Sequence, residues 1–293
     1  MRWPDGFIAV DWGTTNRRAY RIGPSGSSTG EFEDAEGVLA VAVGGFPAAI
    51  EEIRARLGDL PLLLAGMVGS NRGWIEAPYV ACPVGLDELA RALAWAGERE
   101  AIVPGVSYLG DSRADVMRGE EVQLLGAVAA RSIPEGALVC HPGTHNKWVV
   151  LDRGRIASFR TVMTGELFNL LKKHSILADL LEPEAEPDDA FRRGVRHAFE
   201  QDDLTSDLFA VRARVLLGTA RRDGAASYTS GLLIGSDVRM GLADCGSEPV
   251  HVMGRPELTR LYAAAIHEAG RESVELDGEQ SFLSGIRAIA ARI

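Results

Sequence analysis

The chain has 293 residues, of which 46% are hydrophobic and 25% charged, and its formal net charge is −10. This length allows two cores of ordinary domain size. The acidic balance argues against nucleic acid as a partner, because a polyanion would be repelled over most of the surface. The three cysteines, Cys82, Cys140 and Cys245, stand far apart, so the sequence predicts neither disulfides nor a zinc site and fits a cytoplasmic protein. The longest apolar run, residues 37–50, is broken by glycines and a proline, so no membrane span or signal peptide is predicted.

Hydrophobic periodicity and turn residues predict two series of strands and helices. The first series consists of strands 7–11, 18–22, 60–65 and 101–103 and helices 48–57, 86–96 and 120–130. The second consists of strands 137–140, 147–151, 156–162 and 250–253, helices 165–174, 190–199, 207–217, 225–242 and 258–269, and a final helix from about residue 280. Each series opens with a strand, a turn-rich loop and a second strand, so the predicted class is α/β with an architectural repeat. The acidic segment 182–189 is predicted to be a solvated loop that leads into a helix.

The first opening hairpin carries the strongest local signal for a phosphate site. Its loop, called here the first hairpin loop, contains Gly13, Thr14, Thr15 and Asn16 and follows Asp11. Gly13 lets the backbone approach a ligand, and the hydroxyl, amide and backbone N–H groups of the loop are donors that suit phosphate oxygens. Asp11 would hold a hydrated Mg²⁺ that bridges those oxygens. The alternative is an ordinary β-turn in which these side chains satisfy local backbone groups.

A second hairpin repeats this chemistry in the segment PGTHNK, which begins at Pro142. Gly143 and Thr144 repeat the glycine and threonine of the first loop, and His145 and Lys147 add further donors. Neither GxxxxGK followed by Ser or Thr nor GxGxxG occurs in the chain, which excludes a P-loop and a Rossmann phosphate site. The structural alternatives are a satisfied loop histidine at His145 and a strand-edge charge at Lys147.

A predicted helix start supplies a candidate for a general base. Glu120 and Glu121 follow Gly119 directly. A carboxylate at this position is stabilised by the helix dipole, which is its ordinary structural role. A phosphoryl transferase also needs one base near the acceptor hydroxyl, and Glu120 is the candidate for that role.

Six segments stand out in combination: FIAVDWGTTNRRAY (7–20), AGMVGSNRGW (65–74), MRGEEVQLLG (117–126), PGTHNKW (142–148), TGEL (164–167) and SGLLIG (230–235). Together they resemble the 2-dehydro-3-deoxygalactonokinases, a family of the actin-like ATPase and sugar kinase superfamily. The resemblance spans nearly the whole chain and is more specific than any single motif.

The resemblance implies two ribonuclease H-like domains, residues 1–116 and 117–293, with the active site in a cleft between them and, as an option, a final helix that returns to the first domain. It implies a kinase that phosphorylates 2-dehydro-3-deoxy-D-galactonate at its 6-hydroxyl with ATP and Mg²⁺, the metal lying at Asp11. The two hairpin loops resemble the phosphate hairpins of the superfamily, and Gly254 resembles a glycine on its adenosine side. Glu120 resembles the catalytic Asp of related kinases, with Glu121 as the alternative because the residue type differs.

The acceptor of such a kinase is a sugar acid, whose carboxylate needs a cationic or N–H partner. A glycine-rich loop offers four candidates for acceptor binding: Ser70, Asn71, Arg72 and Trp74. Arg17 and Arg160 are rival partners for the carboxylate. Each of these three arginines has a surface charge or a structural ion pair as its alternative role, and Trp74 has a core position as its alternative.

Three competing functions fit the same sequence less well. They are a kinase for another keto-deoxy sugar acid or sugar, a phosphohydrolase of the same superfamily, and an actin-like filament or regulatory ATP-binding protein. The compact length, without large insertions, disfavours the last. The sequence leaves the C4 configuration of the acceptor and the oligomeric state open, and it allows a homodimer.

Overall fold

A computed structural model describes residues 2–111, 113–243 and 246–293, so Cys245 lies outside the described residues. Contacts between residues divide the chain into two compact units. Unit 1 contains Met1–Gly136, Leu151–Ser158 and Gly278–Ile293, and unit 2 contains Ala137–Val150 and Phe159–Asp277. This division places residues 117–136 in unit 1, whereas the predicted boundary puts them in the second domain. It also places the final helix in unit 1.

The chain forms fourteen strands and nine α-helices in its described part. The first part contains β1 (Phe7–Trp12), β2 (Arg17–Ile22), β3 (Ser28–Asp34), α1 (Phe46–Leu57), β4 (Leu62–Gly66), a 3-10 helix (Met67–Gly69), β5 (Tyr79–Ala81), α2 (Leu86–Arg91), β6 (Ala94–Trp95), β7 (Glu100–Ile102), β8 (Gly105–Gly110), β9 (Arg113–Met117) and α3 (Glu120–Ala129). The second part contains β10 (Leu138–His141), β11 (Asn146–Asp152), β12 (Arg155–Val162), α4 (Thr164–His174), a 3-10 helix (Ala178–Leu180), α5 (Asp189–Glu200), α6 (Leu204–Leu216), a 3-10 helix (Arg222–Gly224), α7 (Ala225–Leu242), β13 (Val250–Met253), α8 (Pro256–Glu268), β14 (Ser273–Leu276) and α9 (Gly278–Ala290). In the described part of the chain, no helix has the length and apolar character needed to cross a membrane.

The main sheet of unit 1 has the strand order β3-β2-β1-β4-β7-β6. β1 pairs antiparallel with β2 and parallel with β4, and β4 pairs parallel with β7. The sequences of β1 and β4 are almost continuously apolar, as expected for central strands that are covered on both faces. Ile8, Val10 and Leu64 of these strands form one core with Ile53 of α1. A smaller sheet has the order β5-β8-β9.

The sheet of unit 2 has the strand order β12-β11-β10-β13-β14. β10 is antiparallel to β11 and parallel to β13, which is parallel to β14. Arg153 and Gly154 connect β11 to β12 with φ values of 50° and 72°, the left-handed pair that a tight hairpin turn requires. Both sheets therefore contain a three-stranded meander followed by parallel strands, which is the ribonuclease H-like order. The predicted α/β class and its architectural repeat are confirmed.

Glycines allow α3 and α9 of unit 1 to pack at very short range. A Cβ atom on Gly126 would lie 1.9 Å from the carbonyl oxygen of Ser281, and one on Gly285 would lie 2.0 Å from the carbonyl oxygen of Val122. A larger residue at either position would push the helices apart. The last helix of the chain is thereby held against the helix that begins with the proposed base.

The structure differs from the predicted elements in a few places. Helix 86–96 ends at Arg91, because residues 94–95 pair with β7 as strand β6, so a tertiary contact overrides the helical pattern. Strands β3, β5, β8, β9 and β14 were not predicted; β3, for example, is largely polar and only partly buried. As predicted, the acidic segment 182–189 leads into a helix, α5, and the side chain of Asp188 caps its start.

Candidate active site

The first hairpin loop presents unused donors at the carboxyl end of β1. The N–H of Gly13 donates to the carbonyl of Asn16 at 2.9 Å and closes the turn, and the loop carbonyls accept from the N–H groups of residues 37–39. Within the described chain, the N–H groups of Thr14, Thr15 and Asn16 and the hydroxyls of the two exposed threonines have no hydrogen-bond partner. Successive free N–H groups form an anion-binding nest, so this loop has the donors that a phosphate needs.

Asp11 lies at the same strand end, beside the end of β4. Gly66 has a φ of 92°, and a Cβ atom there would lie 3.5 Å from Asp11 Oδ1. Burial raises the pKa of Asp11 to about 6; Arg18 opposes this shift, and the Glu120 carboxylate adds to it. Asp11 and Glu120 therefore interact electrostatically, and a cation near them would stabilise both ionised carboxylates.

The two candidates for the general base, Glu120 and Glu121, have different environments at the start of α3. Glu121 is fully buried, and its two carboxylate oxygens lie 2.9 and 2.7 Å from the Gly119 nitrogen, whose N–H they accept. Burial raises the pKa of Glu121 to about 8, and Glu120 adds to this shift. The side chain of Glu120 is partly exposed and accepts from the N–H of Arg118 at 3.2 Å. We therefore keep Glu120 as the proposed base, since its carboxylate is accessible and interacts with Asp11.

The predicted acceptor loop is a tight turn that presents two side chains outward. Ser70 is buried, and its hydroxyl donates to the carbonyl of Met67 at 2.7 Å and accepts from the N–H of Arg72 at 3.2 Å. Asn71 and Arg72 are exposed. In the described chain, the guanidinium of Arg72 has no hydrogen-bond or ion-pair partner. Ser70 thus holds the turn, while Asn71 and Arg72 are available to a ligand.

Two other predicted acceptor residues are part of the packing of unit 1. Arg17 is 1% exposed and donates to both carboxylate oxygens of Asp34, at 3.2 and 2.7 Å. Its charge is already neutralised by a partner, so we do not retain it as a partner of the substrate carboxylate. Trp74 stacks on Phe46 with ring centroids 6.4 Å apart and packs against the core, which favours its structural role.

The second hairpin loop is held against the start of α4. The N–H of Glu166 donates to the carbonyl of Thr144 at 2.9 Å, and His145 Nε2 lies 2.6 Å from Glu166 Oε2. A Cβ atom on Gly165 would lie 2.5 Å from the carbonyl oxygen of Gly143. As far as the structure describes the chain, the N–H groups of Gly143, Thr144 and His145 have no partner. This loop therefore also presents successive free donors.

The remaining predicted residues of unit 2 lie close to this loop or along the neighbouring strands. Gly254 follows β13, and a Cβ atom there would lie 2.9 Å from the carbonyl oxygen of Pro142. Lys147 is buried in β11, with Nζ 3.5 Å from the carbonyl oxygen of His145. Arg160 of β12 is half-buried and has no hydrogen-bond or ion-pair partner among the described residues. Gly254 and the second hairpin loop thus meet at the carboxyl ends of the parallel strands β10 and β13.

Sequence reasoning missed two polar residues beside these loops. Asp237 of α7 is 1% exposed and accepts hydrogen bonds from the strand that follows the second hairpin loop. The guanidinium of Arg118, next to the proposed base, donates to the carbonyl of Ala77 at 2.8 Å and lies 4.4 Å from the ring centroid of Tyr79. An Asp within a helix of small and apolar residues was the available signal for Asp237.

A cavity of about 940 Å³ lies elsewhere, among α5, α6 and α7 of unit 2. Its lining includes Arg193, Arg214 and Tyr228 and none of the predicted site residues. Among the described residues, no group of three or more His, Cys, Asp or Glu side chains could hold a metal ion. A metal at Asp11 would therefore rely on phosphate and water oxygens for most of its ligands, which is how Mg²⁺ is usually bound with nucleotides.

Comparison with known proteins agrees with this architecture. A crystal structure of a candidate 2-dehydro-3-deoxygalactonokinase from Sinorhizobium meliloti superimposes with a TM-score of 0.91 at 36% identity, covering 97% of this chain and 98% of that one. An activator of 2-hydroxyisocaproyl-CoA dehydratase from Clostridium difficile, solved with bound ADPNP, shares the fold with a TM-score of 0.50 at 13% identity, covering 98% and 95% of the two chains. The chain is thus an α/β protein of the actin-like ATPase fold.

Sequence comparison identifies the family. A sequence model described as 2-keto-3-deoxy-galactonokinase matches residues 11–289. The 2-dehydro-3-deoxygalactonokinase of Escherichia coli (strain K12) is 37% identical over 289 residues, which cover 97% of each chain. This chain belongs to the 2-keto-3-deoxy-galactonokinase family.

Proposed function

We propose that this chain transfers the γ-phosphoryl group of ATP to the 6-hydroxyl of 2-dehydro-3-deoxy-D-galactonate, giving ADP and 2-dehydro-3-deoxy-6-phospho-D-galactonate in galactonate catabolism. The observation that carries this proposal is the family match along residues 11–289. The Escherichia coli relative bears the name of this activity. We place the reaction in the cytoplasm, where ATP is available.

The two hairpin loops are the proposed phosphate-binding elements. Each has exposed threonine hydroxyls, and N–H groups without a partner among the described residues, at the carboxyl end of a central strand, where open α/β sheets bind ligands. The backbone N–H of His145 would add a donor, and Gly254 would face the nucleoside side. Lys147 would contribute its charge from within β11.

Gly165→Ala should weaken ATP use through the second hairpin loop. The added Cβ would lie 2.5 Å from the carbonyl oxygen of Gly143 and 3.0 Å from Thr144 Cα, so the loop must move. We expect the KM for ATP to rise at least about 10-fold, measured by coupled ADP release. Gly136→Ala is the matched control, because Gly136 is exposed and nothing lies within 4 Å of its added Cβ. Equal KM values for the two variants would contradict the assigned role of this loop.

The residues present also fit Mg²⁺. Asp11 is a partly buried carboxylate whose pKa is raised by burial and by a second carboxylate, and such a group gains stability when a cation neutralises it. When bound there, Mg²⁺ would offset the charge on the phosphate oxygens. Asp11 would hold the ion, and the carboxylate of Glu120 would interact with it electrostatically.

Glu120 is the proposed general base for the acceptor. Its accessible carboxylate would accept the proton of the 6-hydroxyl as the phosphoryl group arrives. Arg72 and Arg160 are the two rival candidates for the partner of the substrate carboxylate, because neither guanidinium group has a partner in the described chain. Asn71 would donate to a sugar hydroxyl beside Arg72.

The test is a coupled ADP-release assay with ATP and Mg²⁺. The acceptors are 2-dehydro-3-deoxygalactonate, its gluconate-derived C4 epimer, several aldoses and no acceptor. We expect turnover with the galactonate-derived acid and at least about 10-fold lower kcat/KM with the epimer, since one misdirected hydroxyl leaves a polar group unpaired. Equal turnover of another sugar acid would contradict the assigned substrate. Release of phosphate without an acceptor would favour a phosphohydrolase.

A further inference from the structure

We infer that Asp237 is a positioning residue, which holds the second hairpin loop and the start of α4 in the one arrangement that binds the phosphates of ATP. This inference rests on the proposed function, because it takes ATP as the ligand of that loop. Asp237 lies on α7 and is 1% exposed, so it acts through its neighbours and not by touching a ligand.

One set of bonds joins Asp237 to the strand that leaves the second hairpin loop. Asp237 Oδ1 accepts from Trp148 Nε1 at 2.7 Å, and Asn146 Nδ2 donates to both carboxylate oxygens at 3.0 Å. Asn146 and Trp148 lie two positions apart on β11, so they point to the same face of the sheet, while Lys147 between them points to the other. Any rotation or slip of β11 would break the bonds from both residues, and the register of the loop would change with it.

A second set of bonds joins the same carboxylate to two helices. Asp237 Oδ2 accepts from Thr164 Oγ1 at 2.5 Å and from the Tyr262 hydroxyl at 2.6 Å. Thr164 is the first residue of α4, and the next two residues contact the second hairpin loop through Gly165 and the N–H of Glu166. The carboxylate therefore fixes the loop from both sides, through β11 and through α4.

The hydrogen bonds around Asp237 are better suited to orienting the residues that donate them than to stabilising the fold. Among the described residues, no Lys or Arg forms an ion pair with Asp237, whose donors are neutral amide, indole and hydroxyl groups. Burial raises the pKa of Asp237, and these four donors oppose the shift. Replacing a whole buried charged cluster by apolar residues is often neutral or stabilising, whereas removing the Asp237 carboxylate alone would leave four buried donors unpaired. Directional bonds from four donors to one carboxylate do what an apolar contact cannot, which is to specify a single orientation for each donor.

Two variants and a control test this inference by binding and not only by turnover. The probe is the non-hydrolysable ATP analogue AMPPNP with Mg²⁺, titrated calorimetrically, together with hydrogen exchange of the amides of residues 143–147. For Asp237→Ala we expect at least about 10-fold weaker AMPPNP binding, faster exchange of these amides and a higher KM for ATP, with the KM of the sugar acid unchanged. Asp237→Asn should lie between this variant and the wild type, because its amide can donate to the hydroxyls of Thr164 and Tyr262.

Thr229→Ala is the matched control. Thr229 is fully buried on the same helix, and its hydroxyl donates to the carbonyl of Ala225 at 2.8 Å. This variant should lose stability while it binds AMPPNP as the wild type does. If Asp237→Ala fails to fold, Thr164→Val decides, since it removes only the bond to α4; we expect several-fold weaker binding.

Wild-type affinity for AMPPNP in folded Asp237→Ala, or in Thr164→Val when the former does not fold, would overturn the inference. Failure of the proposed function has a different signature. In that case the wild type would bind AMPPNP but would phosphorylate no sugar acid. The AMPPNP affinities of the Asp237 variants would still test whether Asp237 positions the second hairpin loop.

Discussion

Glu120→Gln should lower kcat by about 10²- to 10⁴-fold, the range for loss of a general base. The amide has nearly the same shape but cannot accept the proton of the 6-hydroxyl. Binding of ATP should persist, because the two hairpin loops are unchanged. The measurement is single-turnover ADP formation together with a separate titration of AMPPNP, so that chemistry and binding are read apart.

Glu121→Gln is the control for this assignment. Burial raises the pKa of Glu121 to about 8, so at pH 7 its carboxyl group is mainly protonated, and glutamine resembles that form in shape and charge. We expect kcat to change by no more than about threefold. Near-normal turnover in Glu120→Gln with a large loss in Glu121→Gln would move the base to Glu121.

Asp11→Asn should lower activity by at least about 100-fold, because it removes a charge placed beside the transferring group. It should also raise the Mg²⁺ concentration needed for half-maximal rate. A metal titration of the initial rate checks both expectations. An unchanged half-saturation concentration for Mg²⁺ would reject Asp11 as the metal-binding residue.

The same substitution should make the ligand-free protein more stable at alkaline pH. The pKa of Asp11 is raised to about 6 from 3.8, so the folded state binds the proton more tightly than the unfolded chain does. The resulting stabilisation is fully present below about pH 4 and is lost as the pH rises through 6. Above that range the ionised Asp11 costs at most about 3 kcal/mol, and asparagine removes this cost.

Thermal unfolding without ligands at pH 5 and pH 8 measures this effect. We expect Asp11→Asn to exceed the wild type in Tm by more at pH 8 than at pH 5. The variant would then be more stable and less active, which is the usual relation for a charge that is kept for function. A lower Tm at pH 8 would mean that Asp11 supports the fold instead.

The repeated α/β architecture and the positions of both hairpin loops can be predicted from the sequence alone. Central strands such as β1 and β4 are covered on both faces and must be apolar along their length, so they can be recognised from local sequence. Glycine next to threonine after such a strand also marks a loop locally, as at Gly13 and Gly143. Edge strands such as β3 carried too little apolar signal, and α2 was shortened by pairing of the residues that follow it.

Which polar side chains are available to a ligand depends on the packing of the folded chain. Arg17 and Arg72 are both arginines next to candidate loops, yet Arg17 is buried against Asp34, while Arg72 is exposed and has no partner in the part of the chain that the structure describes. Glu120 and Glu121 differ by one position on a helix, and a turn of about 100° per residue sends one outward and the other into the core. Asp237 gains its role from donors that are distant in the chain. Burial and partnership are properties of packing, and packing joins residues whose separation in sequence carries no local signal.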